Sequence, residues 1–426
     1  MRAWYRNLDW ISLALWIGLV TIGLVAIYSA THGPAREFLL DSVQQNFNRQ
    51  AQWTVISVVV VVITLLLPAQ FIVRMWPLVY GFCLLLLVSA LLFGTEINGA
   101  KSWLRIGPVG FQVAEIAKIG VVLAATAFLA RKESRAVRFG FNPGFLRTVG
   151  LFTAIVMVPA VLVVMQNDTG TGLVFLSLIP VMLYWSGLVP IAWMAVLGAV
   201  GVSAYLSIID PIFAAGFVAV ATVAMFLLSR SKGMATVMLL ATGAMAILVN
   251  VALFKILEPH QIGRIVAFND PEAYRSTVGF HVIQSKAAIG SGGLLGKGFT
   301  EGTQTQLAYI PENSTDFVYT IIGEEFGFLG TTLVLVLFGF LIVRMASLGV
   351  QAGFALPRLF VAGVTGIFLV HILINVGMTI GLMPVIGIPL PFISYGGTAL
   401  LANTTMLAIA LNLHARRDEF AVYQAE

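Results

Sequence analysis

The sequence predicts an all-α polytopic membrane protein with about twelve transmembrane helices and a long extracytoplasmic loop. Of its 426 residues, 59% are hydrophobic and only 10% are charged, and the mean hydropathy is +0.96, which is far from the composition of a soluble domain. Apolar stretches of the ~20 residues that span a bilayer recur from Trp10 to Leu413. The alternating segments of about ten residues that are typical of membrane strands are absent, so the spans are predicted to be helices.

Twelve spans follow from the positions of these stretches, and the whole chain, residues 1–426, is predicted to be a single membrane domain. Three of the spans lie within residues 190–254, and the first two of these, residues 190–229, form a helical hairpin. In chain order the predicted spans cover residues 10–30, 52–67, 75–93, 112–130, 148–165, 171–186, 190–208, 212–229, 235–254, 317–345, 358–381 and 393–413.

The basic residues predict the orientation of these spans. If the N-terminus is cytoplasmic, the short loops on that side contain most of the arginines, as the positive-inside rule requires. Both termini are then cytoplasmic, and residues 255–316 form the long loop on the outer face. The small excess of basic residues therefore reflects orientation rather than binding to nucleic acid. The basic residues on the inner side are Arg2, Arg6, Arg74, Arg131, Lys132, Arg135, Arg138, Arg147, Arg230, Lys232, Arg344, Arg358, Arg416 and Arg417.

The cysteine and histidine contents limit the kinds of site that the chain can form. A single cysteine, Cys83, excludes an intramolecular disulfide. The five histidines are scattered without the spacing of metal ligands. No metal site built on histidines and no cofactor is predicted, while a requirement for a divalent cation is left open.

Charged residues occur inside or at the ends of several predicted spans. Glu115 and Lys118 are three residues apart, which places them on one face of a helix. Two interpretations remain open: an ion pair that holds helices together, or a pair that shapes a polar cavity. Asp168, in the segment QNDTGTG, lies between two spans, where it is either a helix N-cap or a ligand.

The long loop, residues 255–316, contains the glycine-rich segment GSGGLLGKGFT. It lacks a P-loop signature, because Ser291 stands where a glycine is needed and Gly298 where a hydroxyl is needed. Nucleotide binding is therefore rejected in favour of a turn that lets the backbone approach a substrate or a neighbouring helix. At the end of the loop, Glu312 and Asp316 precede an apolar run, and Asp316 could cap the helix that begins there.

Four segments occur in a characteristic order: NGAKSWLRIG with FQVAEIAK, then QNDTGTGL, then YIPENSTDFVYTIIGEEFG, and finally GLMPVIGIPLPFISYGGTALL. Together they resemble the SEDS family of peptidoglycan glycosyltransferases, specifically its elongation branch, over nearly the whole chain. The match assigns Gln112, Glu115 and Lys118 to the family's Q-P-S-E-x-x-K segment and Asp168 to its Q-P-D-L-G-T-x-L segment. The chain departs from the family in having Ser102 where arginine is common, and three helices in residues 190–254 where one is expected.

The resemblance implies that the chain polymerises lipid II, with inversion, at the outer face of the bacterial cytoplasmic membrane. Asp316 is then the general base for the attacking sugar hydroxyl, and Glu312 shapes the site. Trp103 is either an interfacial residue or a stacking surface for a sugar. The outer cations that could stabilise the leaving pyrophosphate are Lys101, Arg105, Arg264, Lys286 and Lys297, and Arg264 is preferred among them, although a solvated loop charge or a lipid headgroup contact is an equal alternative for it.

The partners implied by the resemblance are lipid II, membrane lipids and a class B penicillin-binding protein of the elongation complex. Three alternatives are kept: a lipid II flippase with Glu115, Lys118 and Asp168 along its path, the division paralogue, and a scaffold without activity. The inner halves of the spans are almost entirely apolar, which disfavours a polar path through the membrane.

Overall fold

The computed structural model describes residues 4–33, 39–97, 99–107, 109–133, 139, 142–255, 268, 278–306 and 313–424. The chain divides into two compact units, one formed by Met1–Ser186 with Gln284–Glu426 and the other by Gly187–Ile283. The helices, in chain order, are α1 Trp10–His32, α2 Asp41–Gln44, α3 Asn46–Leu66, α4 Ala69–Arg74, α5 Trp76–Phe93, α6 Val113–Glu133, α7 Pro143–Met165, α8 Thr169–Trp185, α9 Ile191–Ile209, α10 Pro211–Ser229, α11 Lys232–Lys255, α12 Val278–Ser291, α13 Thr303–Gln306, α14 Val318–Glu325, α15 Gly327–Gln351, α16 Ala355–Thr379 and α17 Gly397–Ala415.

The predicted class of all-α polytopic membrane protein is confirmed. Among the described residues, eleven helices are long and apolar enough to cross a membrane. Helix α8 corresponds to the remaining predicted span, but with 17 residues it is shorter than the others. The three helices predicted within residues 190–254 are present as α9, α10 and α11.

Three helices form the centre of the first unit. Helices α6, α16 and α17 are buried over most of their length, whereas α3, α5 and α15 leave much of their apolar surface exposed. Small side chains permit close packing at the centre: Gly363 of α16 lies against Val122 of α6, where an added Cβ would come within 3.1 Å of Cγ1. Many polar side chains on these central helices, such as Glu115, His371 and Asn403, are therefore buried.

The span predicted at residues 317–345 is wrong in one respect, because the helix is broken at Phe326 into α14 and α15. The glycine-rich segment predicted as a turn packs against this break. The N–H groups of Lys297 and Gly298 donate to the carbonyls of Glu324 and Glu325, at 2.9 and 3.1 Å. In return the N–H groups of Phe328 and Leu329 donate to Gly293 and Leu294, at 2.8 and 3.1 Å. We call residues 292–298 together with residues 324–329 the glycine clasp.

Only glycine fits at the centre of this clasp. Gly296 has φ +82°, and a Cβ there would overlap the carbonyl oxygen of Glu325. The sequence alternative in which the glycines allow close approach to a neighbouring helix is confirmed. The break in the helix could not be predicted locally, since its backbone partners lie about thirty residues earlier in the chain.

The loop between α5 and α6 is a small antiparallel sheet that the sequence analysis did not predict. Its strands are β1 Thr95–Ile97, β2 Ala100–Ile106 and β3 Val109–Gln112, in the order β1-β2-β3. Trp103 faces Thr95 on one side and Gln112 on the other in the strand register. Gln166 is hydrogen-bonded to this sheet, because its carbonyl accepts from the N–H of Lys101 at 2.9 Å.

The second unit contains α9, α10 and α11, which pack around the buried side chains of Val196, Met225 and Met238. Asp210 caps α10 by accepting from the N–H of Ile212 at 2.7 Å. The unit therefore has its own apolar core.

Candidate functional site

The backbone around Asp316 is fixed from two directions. Residues 313–317 form a turn ahead of α14. The hydroxyl of Ser394 donates to the carbonyl of Thr315 at 2.6 Å, and the N–H of Tyr395 donates to that of Ser314 at 2.8 Å. From α16, the amide of Asn375 donates to the Asp316 carbonyl at 2.9 Å. These bonds to main-chain atoms fix the backbone that carries Asp316.

The Asp316 side chain is partly exposed and lies beside Gly387. Gly387 has φ +77°, and a Cβ added there would lie 3.2 Å from Oδ2 of Asp316. Asp316 is not the N-cap of the following helix, since that position belongs to Phe317 and has no side-chain capping bond. Asp316 therefore precedes the N-cap position by one residue.

A buried polar network connects the loop at residues 386–395 to the centre of the bundle. Lys118 Nζ lies 2.7 Å from Glu115 Oε2 and 3.0 Å from His371 Nε2. His371 Nδ1 lies 3.1 Å from the carbonyl oxygen of Pro389. Because a carbonyl only accepts, Nδ1 carries the ring proton, and Nε2 accepts from the lysine. We call Glu115, Lys118, His371 and Asn375 the polar network.

The members of this network are fully shielded from solvent. Glu115, Lys118, His371 and Asn375 each have a relative accessibility of 0%. The second oxygen of Glu115, Oε1, has no hydrogen-bond partner among the described residues. The structure thus contains an ion pair between Glu115 and Lys118, linked through His371 to the loop beside Asp316.

A second polar cluster surrounds Asp168 at the start of α8. Asp168 is the N-cap of this helix and accepts from the N–H and the hydroxyl of Thr171, both at 3.0 Å. It also accepts from the side-chain amide of Gln112 at 3.1 Å. Asp168 therefore has the capping role that the sequence allowed, and in addition it is hydrogen-bonded to Gln112, which is another of the predicted site residues.

The loop at residues 386–388 lies between this cluster and Asp316. On one side Gly387 approaches the Asp316 carboxylate. On the other, Gly170 in the first turn of α8 is packed so closely that an added Cβ would lie 2.8 Å from Ile388 and 2.9 Å from Ile386. Asp316, Asp168 and Gln112 are thus brought to one region of the first unit.

The predicted cations have different surroundings. Lys101, Arg105 and Lys286 are exposed, and Trp103 is partly buried. Lys297 is engaged in the glycine clasp, where its Nζ lies 2.8 Å from Glu324 Oε1, so its charge is directed at a buried carboxylate. Arg264 and Glu312 lie outside the described residues.

Among the described residues, no three His, Cys, Asp or Glu side chains are grouped as ligands for a metal ion.

Two buried residues were missed by the sequence analysis, His371 and Asn375. They are four residues apart on α16, so both face the 386–395 loop. That spacing was the available signal, but the sequence does not show which loop they contact.

Comparison with known proteins agrees with this arrangement. The family described as cell cycle protein (FtsW/RodA/SpoVE) matches residues 9–215 and 195–419. The chain is 30% identical to peptidoglycan glycosyltransferase RodA of Treponema pallidum, over 96% of this chain and 98% of that protein. It is 32% identical to peptidoglycan glycosyltransferase MrdB of Escherichia coli strain K12, over 80% of this chain and 78% of that protein.

Solved structures show the same fold. A peptidoglycan synthase complex, studied for its coordination of polymerization and crosslinking, contains a chain with a TM-score of 0.69 and 26% identity, covering 96% of this chain and 98% of that one. RodA of Thermus thermophilus has a TM-score of 0.62 and 25% identity, with coverages of 96% and 97%. The fold and the buried polar site define a polytopic membrane protein built mainly of helices. Within that class, the chain belongs to the FtsW/RodA/SpoVE family, which is the SEDS family that its sequence resembles.

Proposed function

We propose that the protein is a peptidoglycan glycosyltransferase that polymerises lipid II, with Asp316 as the general base. The observation that carries this proposal is the placement of Asp316. Its main chain is held by bonds from Asn375 and through its neighbours by Ser394 and Tyr395, while its partly exposed carboxylate stands beside Gly387. A carboxylate on a fixed backbone at a partly exposed position is suited to proton abstraction from an incoming hydroxyl.

The proposed reaction is an inverting substitution at the anomeric carbon of the donor sugar. The acceptor sugar's hydroxyl oxygen forms a bond to the anomeric carbon of the donor, and its proton passes to Asp316. The bond from that carbon to the lipid pyrophosphate breaks, and the pyrophosphate leaves with the bonding electrons. The exposed cations Lys101, Arg105 and Lys286 are available to stabilise this negative charge, as is Arg264 by its position in the sequence.

The names of the relatives support an enzyme rather than a flippase or a scaffold. RodA and MrdB are both named peptidoglycan glycosyltransferases. The geometry of the polar network also argues against a flippase, because Glu115 and Lys118 are fully buried and paired with each other. A headgroup path through the membrane would instead need hydrated polar side chains along its length.

The membrane location and the partner belong to the same proposal. We place the protein in the bacterial cytoplasmic membrane with both termini inside and the segment carrying Asp316 outside. A class B penicillin-binding protein is the proposed partner, in keeping with the solved synthase complex that couples polymerization to crosslinking. Assignment to the elongation rather than the division branch rests on the RodA and MrdB relatives.

Incubation of the purified full chain with fluorescently labelled lipid II, in detergent and in vesicles, tests the activity. Glycan chains are the expected product. Translocation of lipid II across vesicle membranes without chain formation would indicate a flippase instead. If neither activity is seen, with or without the class B partner, the protein would be a scaffold.

The orientation has its own test. Ser291→Cys, at the exposed end of α12, is introduced into a Cys83→Ala chain in intact cells. A membrane-impermeant maleimide is expected to label it from outside. Labelling only after the inner face is opened would contradict the proposed topology.

A further inference from the structure

The buried imidazole of His371 is not part of the proposed chemistry, yet it touches two elements of the site at once. One ring nitrogen faces the Lys118 ammonium at 3.0 Å and the other faces the carbonyl of Pro389 at 3.1 Å. Through these two contacts it links the Glu115–Lys118 pair to the 386–395 loop. Its side chain has no exposure to solvent.

The loop that His371 holds is the one that approaches Asp316. Asn375, one turn further along α16, donates to the carbonyl of Ile388 at 2.7 Å and also to that of Asp316 at 2.9 Å. Two adjacent loop carbonyls, those of Ile388 and Pro389, are therefore fixed by two residues of a single helix. Gly387 precedes them directly and lies against the Asp316 carboxylate.

We propose that His371 is a positioning residue for this site, which fixes the 386–390 backbone against Asp316 through its bond to the Pro389 carbonyl. The Lys118 ammonium sets the tautomer in which that bond forms: a cation can only donate, so Nε2 must accept and the proton must reside on Nδ1. The ion pair acts on the loop through the ring, without touching the substrate. This inference rests on the proposed function only for its catalytic readout.

A plain packing role for His371 makes different predictions from a positioning role. A space-filling residue can be replaced by any side chain of similar volume that folds. A positioning residue can be replaced only by a side chain that reproduces the ring nitrogen bonded to the loop. Asparagine presents its amide N–H at about the place of Nδ1, next to the Pro389 carbonyl, whereas glutamine extends its amide to about the place of Nε2, next to Lys118.

The test compares His371→Asn with His371→Gln in the full chain reconstituted in vesicles. With fluorescently labelled lipid II, we expect His371→Gln to lower kcat by about tenfold or more, towards the roughly 10²-fold that a 1 Å misplacement can cause, with KM within about twofold. His371→Asn is expected to stay within about threefold of the wild-type kcat because it retains the loop bond.

Hydrogen exchange supplies a readout that does not need activity. In His371→Gln, amides in residues 386–395 and 313–317 are expected to exchange faster than in the wild type, and in His371→Asn at nearly the wild-type rate. Thr365→Val is the matched control, because Thr365 is buried on the same helix but its hydroxyl donates only within the helix, to Val361. It should leave both readouts unchanged.

Equal behaviour of the two histidine variants, or slower exchange in the glutamine variant than in the asparagine variant, would overturn the inference. A wild-type chain that makes no glycan would instead refute the proposed function. In that case the exchange comparison would still decide whether His371 fixes the loop.

Discussion

Two buried glutamates, Glu115 and Glu324, are paired with lysines at nearly the same distance, 2.7 and 2.8 Å, but the rest of their surroundings differ. Glu324 also accepts from the hydroxyl of Thr303 and from the N–H groups of Gln304 and Thr305, at 2.8 to 3.1 Å. Among the described residues Glu115 is paired only with its lysine, and its Oε1 lacks a hydrogen-bond partner. Both carboxylates have 0% accessibility.

The difference indicates what each region contributes. A buried carboxylate with its hydrogen bonds satisfied stabilises the structure around it, as Glu324 does in the glycine clasp. A buried carboxylate that is left partly unsatisfied costs stability. We infer that the polar network is retained for the site beside Asp316, and that the glycine clasp is retained for the fold.

The largest expected effect follows removal of one member of the ion pair. Glu115→Ala leaves Lys118 buried without its counter-charge, a change that typically costs about 3–5 kcal/mol. We expect a low yield of folded protein, measured as the amount of monodisperse protein in detergent. We also expect loss of polymerisation, measured as glycan formation.

The double variant Glu115→Leu/Lys118→Met sharpens this prediction. Apolar replacement of a whole buried pair is often neutral for stability, so folded yield should recover. Activity should not recover, because the cation that orients His371 is gone. Recovery of activity as well would contradict a functional role for the pair.

Substitution in the glycine clasp should affect folding and leave turnover intact. Gly296→Ala places a side chain at φ +82°, against the carbonyl of Glu325, and the backbone conformation alone costs about 1–3 kcal/mol. This loss of stability should appear as a lower unfolding temperature. The molecules that fold should polymerise at close to the wild-type rate.

Gly290→Ala is the matched control in the same segment. Gly290 has no atom within 4 Å of an added Cβ and no positive φ, and it lies in helix α12, so the unfolding temperature of Gly290→Ala should be unchanged or slightly raised. If Gly296→Ala were as stable as Gly290→Ala, the close approach of the two backbones would not contribute to stability.

The smallest expected effect is a pair of opposite pH dependences within the clasp. Burial by itself would raise the pKa of Glu324, but the Lys297 ammonium and the N–H groups of Gln304 and Thr305 outweigh it and lower that pKa. Burial raises the pKa of Glu325 despite its hydrogen bonds from Ser29 and Gln306. Both glutamates belong to α14, which ends before the span that begins at Gly327.

The signs of the two contributions follow from linkage. The stability contributed by Glu324 is present above the ordinary glutamate pKa and is lost as the pH falls through its lowered folded-state value. The stability contributed by Glu325 is present below the ordinary glutamate pKa and is lost as the pH rises through its raised folded-state pKa. Thermal unfolding between about pH 3 and pH 8 should therefore show a weaker acid loss in Glu324→Gln and a weaker loss on the alkaline side in Glu325→Gln. If the unfolding temperatures of the two variants changed with pH by the same slope, these assignments would be contradicted.

Much of the fold was predictable because membrane spans are determined by local composition. The apolar stretches predicted the helices to within several residues at most ends, and the spacing of Glu115 and Lys118 placed them on one helical face. The capping role of Asp168 was also readable, since an Asp before a Thr-Gly-Thr turn is a local signal.

The rest depends on contacts between distant segments. His371 and Asn375 acquire their partners only when the 386–395 loop folds back onto α16. The break at Phe326 exists because the glycine-rich segment supplies hydrogen bonds to it. A single sequence shows neither approach. In the sheet at residues 95–112, β1 and β3 have only three and four residues, and the seven residues of β2, AKSWLRI, do not alternate between polar and apolar.

Asp316→Asn decides whether Asp316 removes a proton during lipid II polymerisation. Asparagine keeps the shape and one oxygen but cannot accept the proton. If Asp316 is the general base, Asp316→Asn should lower the rate 10²-fold or more, about 3 kcal/mol in the barrier, with wild-type folded yield and unfolding temperature. Asp41→Asn, an exposed aspartate on the same predicted side of the membrane, should polymerise normally. If folded Asp316→Asn still makes glycan at more than about a tenth of the wild-type rate, a general-base role of the usual size is excluded.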